Sequence, residues 1–229
     1  PEVRCINHTG DPPNRRGVGS TVHENVPVED GKSYVLAMMT VEGVGKLFGN
    51  LYDGRSWGKQ DFEIATDMST VRGSDKRMCA AWEPAGRKLH VAYVDHQGRL
   101  FYRTCRSPYG PQNWSPAVQV VPDRTFCAVL SLDRSKRPAH VYICYGKTLY
   151  LDRRDQRHET GQLYLIRSDG RSWSQPLLVS EPGTRFNWYP NMNEHVGRNI
   201  GILYLKGGPD QKSKKPVMDI MFASTGRPG

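Results

Sequence analysis

The pentapeptide Asp-Gly-Arg-Ser-Trp occurs twice in this 229-residue sequence, in "YDGRSWGKQ" (52–60) and in "SDGRSWSQP" (168–176). Each copy follows a run of alternating apolar residues. Asp-Gly favours a tight turn because glycine readily adopts a positive φ, and the tryptophan that follows can anchor the returning strand. The two copies therefore predict two equivalent β-hairpins within a larger repeat.

A third tryptophan in the same context sets the length of the repeat. Trp57, Trp114 and Trp173 are 57 and 59 residues apart, and a short apolar strand pattern precedes each one. Earlier in each unit comes another apolar run, as in "SYVLAMM", "KLHVAYV", "AHVYICY" and "NIGILYL". Short antiparallel strands that repeat at such a period are typical of β-propellers.

We therefore predict an all-β, single-domain β-propeller with four to five visible blades, compatible with a place in a larger propeller. The repeat units are approximately 31–75, 76–125, 126–183 and 184–229, and residues 1–30 supply a closing strand or a partial blade. A β-sandwich with coincidental tryptophan spacing is the alternative. The absence of an initial Met and of a signal-like apolar region is typical of a processed or trimmed chain.

The net charge of the chain favours an anionic partner. Lys and Arg number 32 against 23 Asp and Glu, which gives a formal charge of +9 and a pI near 9.4. Nucleic acid, acidic polysaccharide and anionic lipid would all be attracted, although a merely solvated basic surface is the alternative. Few aromatic residues interleave with the basic runs, which disfavours nucleic acid, and no run of about 18 apolar residues predicts a membrane span. The oligomeric state stays open.

The five cysteines show no C-x-x-C spacing, which argues against a zinc ribbon or a thioredoxin-like site. Four of them lie in or beside strand-like runs, where buried reduced thiols are common, but one or two disulfides remain an alternative. We expect no cofactor and no catalytic metal, and the sequence is compatible with a structural Ca²⁺ ion.

The stretch "LYLIRSDGRSWSQP" resembles the Asp-box, or BNR, hairpin of sialidase-like β-propellers through Ser168, Asp169, Gly170 and Trp173. The resemblance extends over about residues 20–229. It implies a propeller whose Asp-boxes are structural turns on the outer rim, and it implies an extracellular, carbohydrate-active protein whose site lies at the axial face.

Two subfamilies suggest site residues. The stretch "RFNWYPNMNEHVGRNIGILYLKGG" resembles the C-terminal blade of sialidases, which implies Tyr189 as nucleophile. Arg185 and Arg198 stand on either side of Tyr189, and they would form a clamp for a substrate carboxylate if both face the centre of the ring of blades, whereas ordinary surface arginines are the alternative. The stretch "TVHENVPVEDGKSYVLAM" resembles a blade entry of BNR-type polysaccharide lyases such as the ulvan lyases, which implies a catalytic His23 beside a substrate-binding Asn25. Lyases remove the proton α to a uronate carboxylate, so they need a base and a group that stabilises the developing anion.

Trp82 and Trp188 lie at strand–loop boundaries, where an indole can stack on a sugar ring. We predict that the protein cleaves an acidic oligo- or polysaccharide, either as a sialidase-like hydrolase or as a BNR-type lyase. The alternative is a non-catalytic lectin or interaction propeller that uses these two tryptophans. A further alternative is a fragment whose site is completed by another segment or subunit.

Overall fold

The computed structural model describes residues 22–41, 43–59, 61–68, 77–150, 160–180, 186–196, 199–209 and 216–224. These residues form fifteen β-strands and two short 3₁₀ turns, Glu29–Gly31 and Pro111–Asn113. The strands are β1 Val22–Pro27, β2 Ser33–Val41, β3 Val44–Tyr52, β4 Phe62–Met68, β5 Met78–Glu83, β6 Lys88–Val94, β7 Leu100–Arg106, β8 Val118–Val121, β9 Thr125–Asp133, β10 His140–Tyr150, β11 Thr160–Ser168, β12 Leu177–Leu178, β13 Phe186–Val196, β14 Asn199–Pro209 and β15 Pro216–Ser224. Within the described ranges, no helix has the length and apolar character needed to cross a membrane.

The strands form four antiparallel sheets in chain order: sheet 1 (β1–β4), sheet 2 (β5–β8), sheet 3 (β9–β12) and sheet 4 (β13–β15). The first strand of each sheet packs against the first strand of the next one. The sheets therefore follow one another around an axis as the blades of a β-propeller, and the predicted all-β propeller fold is confirmed. The first strand of each sheet is its inner strand, next to the axis. We call the end of the propeller at which these four strands finish the C face, and their last residues are Pro27, Glu83, Asp133 and Val196.

Sheet 1 begins earlier than the first predicted repeat unit. Its inner strand β1 lies inside the region 1–30, and it pairs with β2 from Val22 opposite Met38 to Pro27 opposite Ser33. Residues 1–21, which include the rest of the predicted closing strand, lie outside the described residues.

Three apolar clusters fill the spaces between successive sheets. Strand side chains alternate between the two faces of a sheet. A sheet that lies between two others therefore buries side chains on both faces. This explains why "KLHVAYV" of β6 is almost wholly buried. Leu36 and Leu89 represent the cluster between sheets 1 and 2, Leu132 the next, and Leu163 and Ile202 the last.

The two Asp-Gly-Arg-Ser-Trp segments form the same turn at the C face. The Asp53 carboxylate accepts hydrogen bonds from the backbone N–H groups of Arg55 at 2.9 Å and Ser56 at 2.7 Å, and Gly54 has a φ of +95°. The second copy repeats these contacts around the Asp169 carboxylate. The predicted hairpin chemistry is therefore present in both copies.

The tryptophans that follow the turns anchor their hairpins in different surroundings. Trp114 is buried between sheets 1 and 2. Trp173 reaches the preceding blade, where its ring centroid lies 5.2 Å from that of Tyr102. Trp57 packs within its own sheet on Tyr52, at 5.3 Å. Each tryptophan pairs through its backbone with the end of the preceding strand, at Tyr52, Cys105 and Ser168 respectively, while its packing depends on the blade.

Four of the five cysteines are described, and each is buried and reduced: Cys79, Cys105, Cys127 and Cys144. Burial raises the pKa of Cys105 to about 12, and it raises the pKa of Cys144 well above its usual value. The sequence left two alternatives, buried reduced thiols or one or two disulfides, and the structure has reduced thiols at these four positions.

Candidate functional site

An open pocket of about 330 Å³ lies between the inner strands of sheets 1 and 2, near the C face. We call it the axial pocket, and its lining residues are Glu24, Asn25, Val26, Pro27, Ala80, Ala81, Trp82 and Arg134. Its volume is within the range of small-molecule sites, about 300–1,000 Å³. The pocket therefore combines an indole with an amide, a carboxylate and a guanidinium.

The backbone and side chain of Trp82 are both held in place. The indole N–H donates a hydrogen bond of 2.9 Å to the Tyr109 hydroxyl, and the Arg134 guanidinium donates one of 2.9 Å to the Trp82 carbonyl oxygen. Tyr109 is buried, and burial raises its pKa to about 12, so its phenol stays protonated. The half-buried indole is thus presented at the pocket in a fixed orientation.

The opposite wall of the axial pocket is β1. Its side chains alternate, with His23 and Asn25 exposed, Glu24 half-buried and Val26 buried. Because residues two apart point to the same side of a strand, His23 and Asn25 share one side of β1. Along the described parts of the chain, no group of three or more His, Cys, Asp or Glu side chains could hold a metal ion.

Next to Trp82 begins a buried polar network that joins sheets 2 and 3, the Glu83 network. The Glu83 carboxylate lies 3.2 Å from Nε2 of His90, and Nδ1 of His90 lies 2.6 Å from the Tyr102 hydroxyl. The other Glu83 oxygen accepts the backbone N–H of Ala139 at 2.9 Å. Since a carboxylate only accepts, Nε2 carries the proton and Nδ1 accepts from Tyr102.

The electrostatics of the Glu83 network favour a structural role. The hydrogen bond from His90 is the main reason why the pKa of Glu83 falls to about 2, and the Ala139 N–H and the nearby Lys88 ammonium lower it further. Burial lowers the pKa of His90, so the imidazole is neutral at neutral pH. His90 therefore holds a structural position, because both ring nitrogens have protein partners.

A second glutamate joins sheets 1 and 2 at the C face, in what we call the Glu29 clamp. Arg87 grips the Glu29 carboxylate with two hydrogen bonds of 2.7 Å, and the Ser107 hydroxyl donates a third at 2.5 Å. The Arg87 hydrogen bonds are the main cause of a Glu29 pKa of about 2. The clamp fixes the loop that follows β1, and with it one end of the axial pocket.

The axial pocket brings together two residues that the sequence assigned to substrate binding, Asn25 and Trp82. The predicted catalytic His23 lies on the same strand as Asn25.

Tyr189 and Trp188 belong to β13, in which Trp188 pairs with Leu205 of β14. Their side chains lie outside the described part of the structure, as do Arg185 and Arg198 altogether. The clamp of Tyr189 with these arginines therefore stays a prediction.

Three residues that line or support the pocket were not anticipated. Arg134 stands in the basic loop "DRSKRPAH", where nothing in the sequence separates it from its charged neighbours. Tyr109 belongs to a turn of sheet 2, and its partner Trp82 is 27 positions away. Glu24 stands between His23 and Asn25 on β1. It would have been identified if the sequence had shown that β1 is an inner strand.

No protein-family profile matches the sequence, and a comparison with curated proteins gives no significant match. Solved structures do share its fold. The catalytic domain of the GH62 α-L-arabinofuranosidase of Coprinopsis cinerea aligns with a TM-score of 0.55 at 12% identity, over 95% of this chain and 68% of that chain.

Two further solved structures align over most of this chain. For the Podospora anserina α-L-arabinofuranosidase, solved with cellotriose, the TM-score is 0.55 at 14% identity, over 93% of this chain and 67% of that chain. A PL25 ulvan lyase bound to a glucuronate–sulfated rhamnose unit gives 0.58 at 14% identity, over 91% of this chain but 53% of its own length. At these identities the likeness concerns the fold.

Proposed function

We propose that this propeller binds a carbohydrate in the axial pocket. The observation that carries the proposal is that the fixed, half-buried Trp82 lines one pocket together with Asn25 and Glu24. A sugar ring offers an apolar C–H face for the indole and hydroxyls for amide, carboxylate and guanidinium groups. Structural neighbours include arabinofuranosidases, a hydrolase solved with xylotriose and an ulvan lyase, which supports the same class of ligand.

An acidic glycan is the ligand we favour. The chain carries a formal charge of +9, and Arg134 supplies a guanidinium at the pocket, which suits a carboxylate or sulfate. Such polymers are met outside the cell, so the proposal includes an extracellular location. Membership of the BNR, sialidase-like group is part of the proposal, and the repeated turn around Asp53 and Asp169 supports it.

Cleavage of the bound glycan is the second candidate function. The observation that favours it is the exposed imidazole of His23 on the side of β1 that also carries Asn25. A histidine of this kind could remove the proton α to a uronate carboxylate, while a neighbouring cation stabilises the developing charge. Tyr189, Arg185 and Arg198 remain the proposed nucleophile and clamp of the hydrolase alternative.

Binding is tested by calorimetric titration with xylo-, cello- and arabino-oligosaccharides and with uronate-containing and sulfated oligosaccharides. We expect Trp82→Ala to weaken the best ligand about tenfold or more, which corresponds to about 1.4 kcal/mol. Asn25→Ala removes an exposed pocket side chain with little risk to the fold, and Trp57→Ala is the matched control because its indole lies on a distant hairpin. Failure of every oligosaccharide to bind, or equal affinity in the Trp82 and Trp57 variants, would refute the proposal.

Cleavage is tested on the same panel by two product assays. A rise in ultraviolet absorbance from an unsaturated uronate indicates β-elimination, whereas new reducing ends or free sialic acid without that rise indicate hydrolysis. In a lyase, His23→Ala should abolish the absorbance change. In a hydrolase, Tyr189→Phe should abolish product release. Retained turnover in the relevant variant removes that residue from the mechanism.

A further inference from the structure

The two Asp-Gly-Arg-Ser-Trp turns each lie against a loop of their own blade, and the two loops differ in charge. A Cβ atom at Gly54 would lie 3.6 Å from the carbonyl oxygen of Gly31, in the loop between β1 and β2. A Cβ atom at Gly170 would lie 3.4 Å from the ring of Pro138, in the loop between β9 and β10. The first loop reads "VEDGK" and the second reads "RSKRPA". The same turn therefore stands beside acidic residues in sheet 1 and beside basic residues in sheet 3.

The loop and the turn of sheet 3 together form a basic surface, which we call the basic corner. Its members are exposed cationic side chains, namely Arg134, Lys136, Arg137 and Arg171. The carboxylates of the same two segments are held by their own turns, because Asp133 accepts the Ser135 backbone N–H at 3.0 Å and Asp169 accepts the Arg171 backbone N–H at 2.9 Å. The guanidinium groups of Arg137 and Arg171 make no hydrogen bond or ion pair with another described residue. Their charges are therefore available to a ligand.

The basic corner begins at the axial pocket. Arg134 lines the pocket and donates its hydrogen bond to the carbonyl oxygen of Trp82. At the other end of the loop, the backbone N–H of Ala139 donates to the carboxylate of Glu83, the residue after Trp82. Arg137 follows Arg134 by three positions, so their Cα atoms are at most about 11 Å apart. The loop is thus anchored at both ends beside the pocket, and its charges lie within reach of a ligand that extends out of it.

The size of the axial pocket limits how much of a polymer it can hold. Its volume of about 330 Å³ is at the lower end of the range of ligand sites, about 300–1,000 Å³. A polysaccharide that places one end in the pocket therefore leaves its other units on the surface of the C face. An acidic polymer carries carboxylates or sulfates at regular intervals, and exposed guanidinium groups beside the pocket would bind them. A neutral polymer would gain nothing from these cations.

We propose that the basic corner is a second subsite, which binds the carboxylate or sulfate groups of the sugar units that lie beyond the axial pocket. The inference rests on the proposed binding of an acidic glycan in that pocket, and it extends the ligand from a short unit to a chain. Arg134 stands at the junction of the two subsites, and Arg137 and Arg171 bind the following anionic groups. Affinity should therefore rise with the length of a charged ligand. Arg55, at the equivalent position of the first turn, lies beside the acidic loop of sheet 1 and does not contribute.

The test compares short and long charged ligands by calorimetric titration in low salt. The probes are the disaccharide and octasaccharide of chondroitin sulfate and the corresponding galacturonate oligomers. We expect the protein to bind an octasaccharide at least about fivefold more tightly than its disaccharide, as two exposed charge contacts allow. The double variant Arg137→Gln, Arg171→Gln should lose this gain and keep its affinity for the disaccharide. Arg55→Gln is the matched control, because it changes the same position of the same turn, and it should keep the gain.

Three results would overturn this proposal. Octasaccharides that bind no more tightly than disaccharides, or a double variant that keeps the gain, would remove the basic corner from the site. A DNA oligonucleotide that binds as tightly as the best octasaccharide, and loses as much in the double variant, would assign the corner to nucleic acid. Trp82→Ala separates this proposal from the proposed function, because it should weaken disaccharides and octasaccharides alike. If Trp82→Ala weakens neither while the double variant still weakens the octasaccharide, the axial pocket is not the carbohydrate site and the corner binds anions independently of it.

Discussion

Two glutamates join neighbouring blades at the C face, and the partners of their carboxylates differ in exposure. Glu83 is 3% exposed and sits among His90, Tyr102 and the Ala139 N–H. Glu29, whose side chain is 11% exposed, meets Arg87, whose side chain is 63% exposed. Both carboxylates have a pKa of about 2.

The shared pKa hides a difference in energetic cost. A buried carboxylate that loses its partners, or a buried donor that loses its carboxylate, keeps the full desolvation penalty. A pair whose cation is exposed can exchange that cation for water and is screened by salt. Equal pKa values at two blade junctions therefore do not imply equal contributions to the free energy of unfolding.

The largest effect should come from Glu83→Ala. The substitution leaves the Nε2–H of His90 and the backbone N–H of Ala139 without an acceptor in a buried place. We expect the free energy of unfolding to fall by about 3–5 kcal/mol, measured by urea denaturation at pH 7. Glu63→Ala is the matched control, because Glu63 pairs with Lys46 at the surface, and it should cost less than about 1 kcal/mol. Equal costs for the two variants would mean that the Glu83 network contributes no more than a surface pair.

Acid should destabilise the protein in two steps. Burial lowers the pKa of His90 below its usual 6.5, so the unfolded chain takes up this proton first and stability falls as the pH drops below about 6.5. Glu83 and Glu29 have pKa values of about 2 in place of 4.5, so the stability they provide is complete above about 4.5 and is lost toward pH 2.

The two steps can be separated by denaturation at a series of pH values. His90→Gln should remove the upper step and keep the lower one, whereas Glu29→Gln should reduce the lower step alone. A His90→Gln protein that still loses stability between pH 6.5 and 5 would assign that step to other groups.

The fold around these two junctions also shows which structural features can be predicted from the sequence. The strand patterns and the turns at Asp53 and Asp169 are local signals, and the structure has an all-β propeller fold with both turns. Trp82 was identified as a candidate for stacking on a sugar ring because it stands at a strand–loop boundary. Such features depend on residues close together in the chain, so a pattern can reveal them.

The partners that complete the site are distant in sequence. Arg134 reaches the Trp82 carbonyl across 52 positions, and Arg87 reaches Glu29 across 58. These contacts exist because the C-face loops of successive blades meet, and one sequence does not record which charged loop residue points inward. The sequence therefore predicted the repeating unit more fully than the contacts between units.

The smallest effect should come from Arg87→Met, which keeps the aliphatic stem and removes the guanidinium from the Glu29 clamp. Because Arg87 is exposed and Glu29 keeps the Ser107 hydroxyl, we expect the melting temperature to fall by about 2 °C or less in low salt. The difference from wild type should shrink further in 1 M NaCl, where the Debye length is about 3 Å. The loss caused by Glu83→Ala should persist in the same salt, since its contacts are buried. A salt-insensitive loss at Arg87 as large as that at Glu83 would show that the exposed clamp also acts as a buried junction, and the contrast between the two glutamates would then fail.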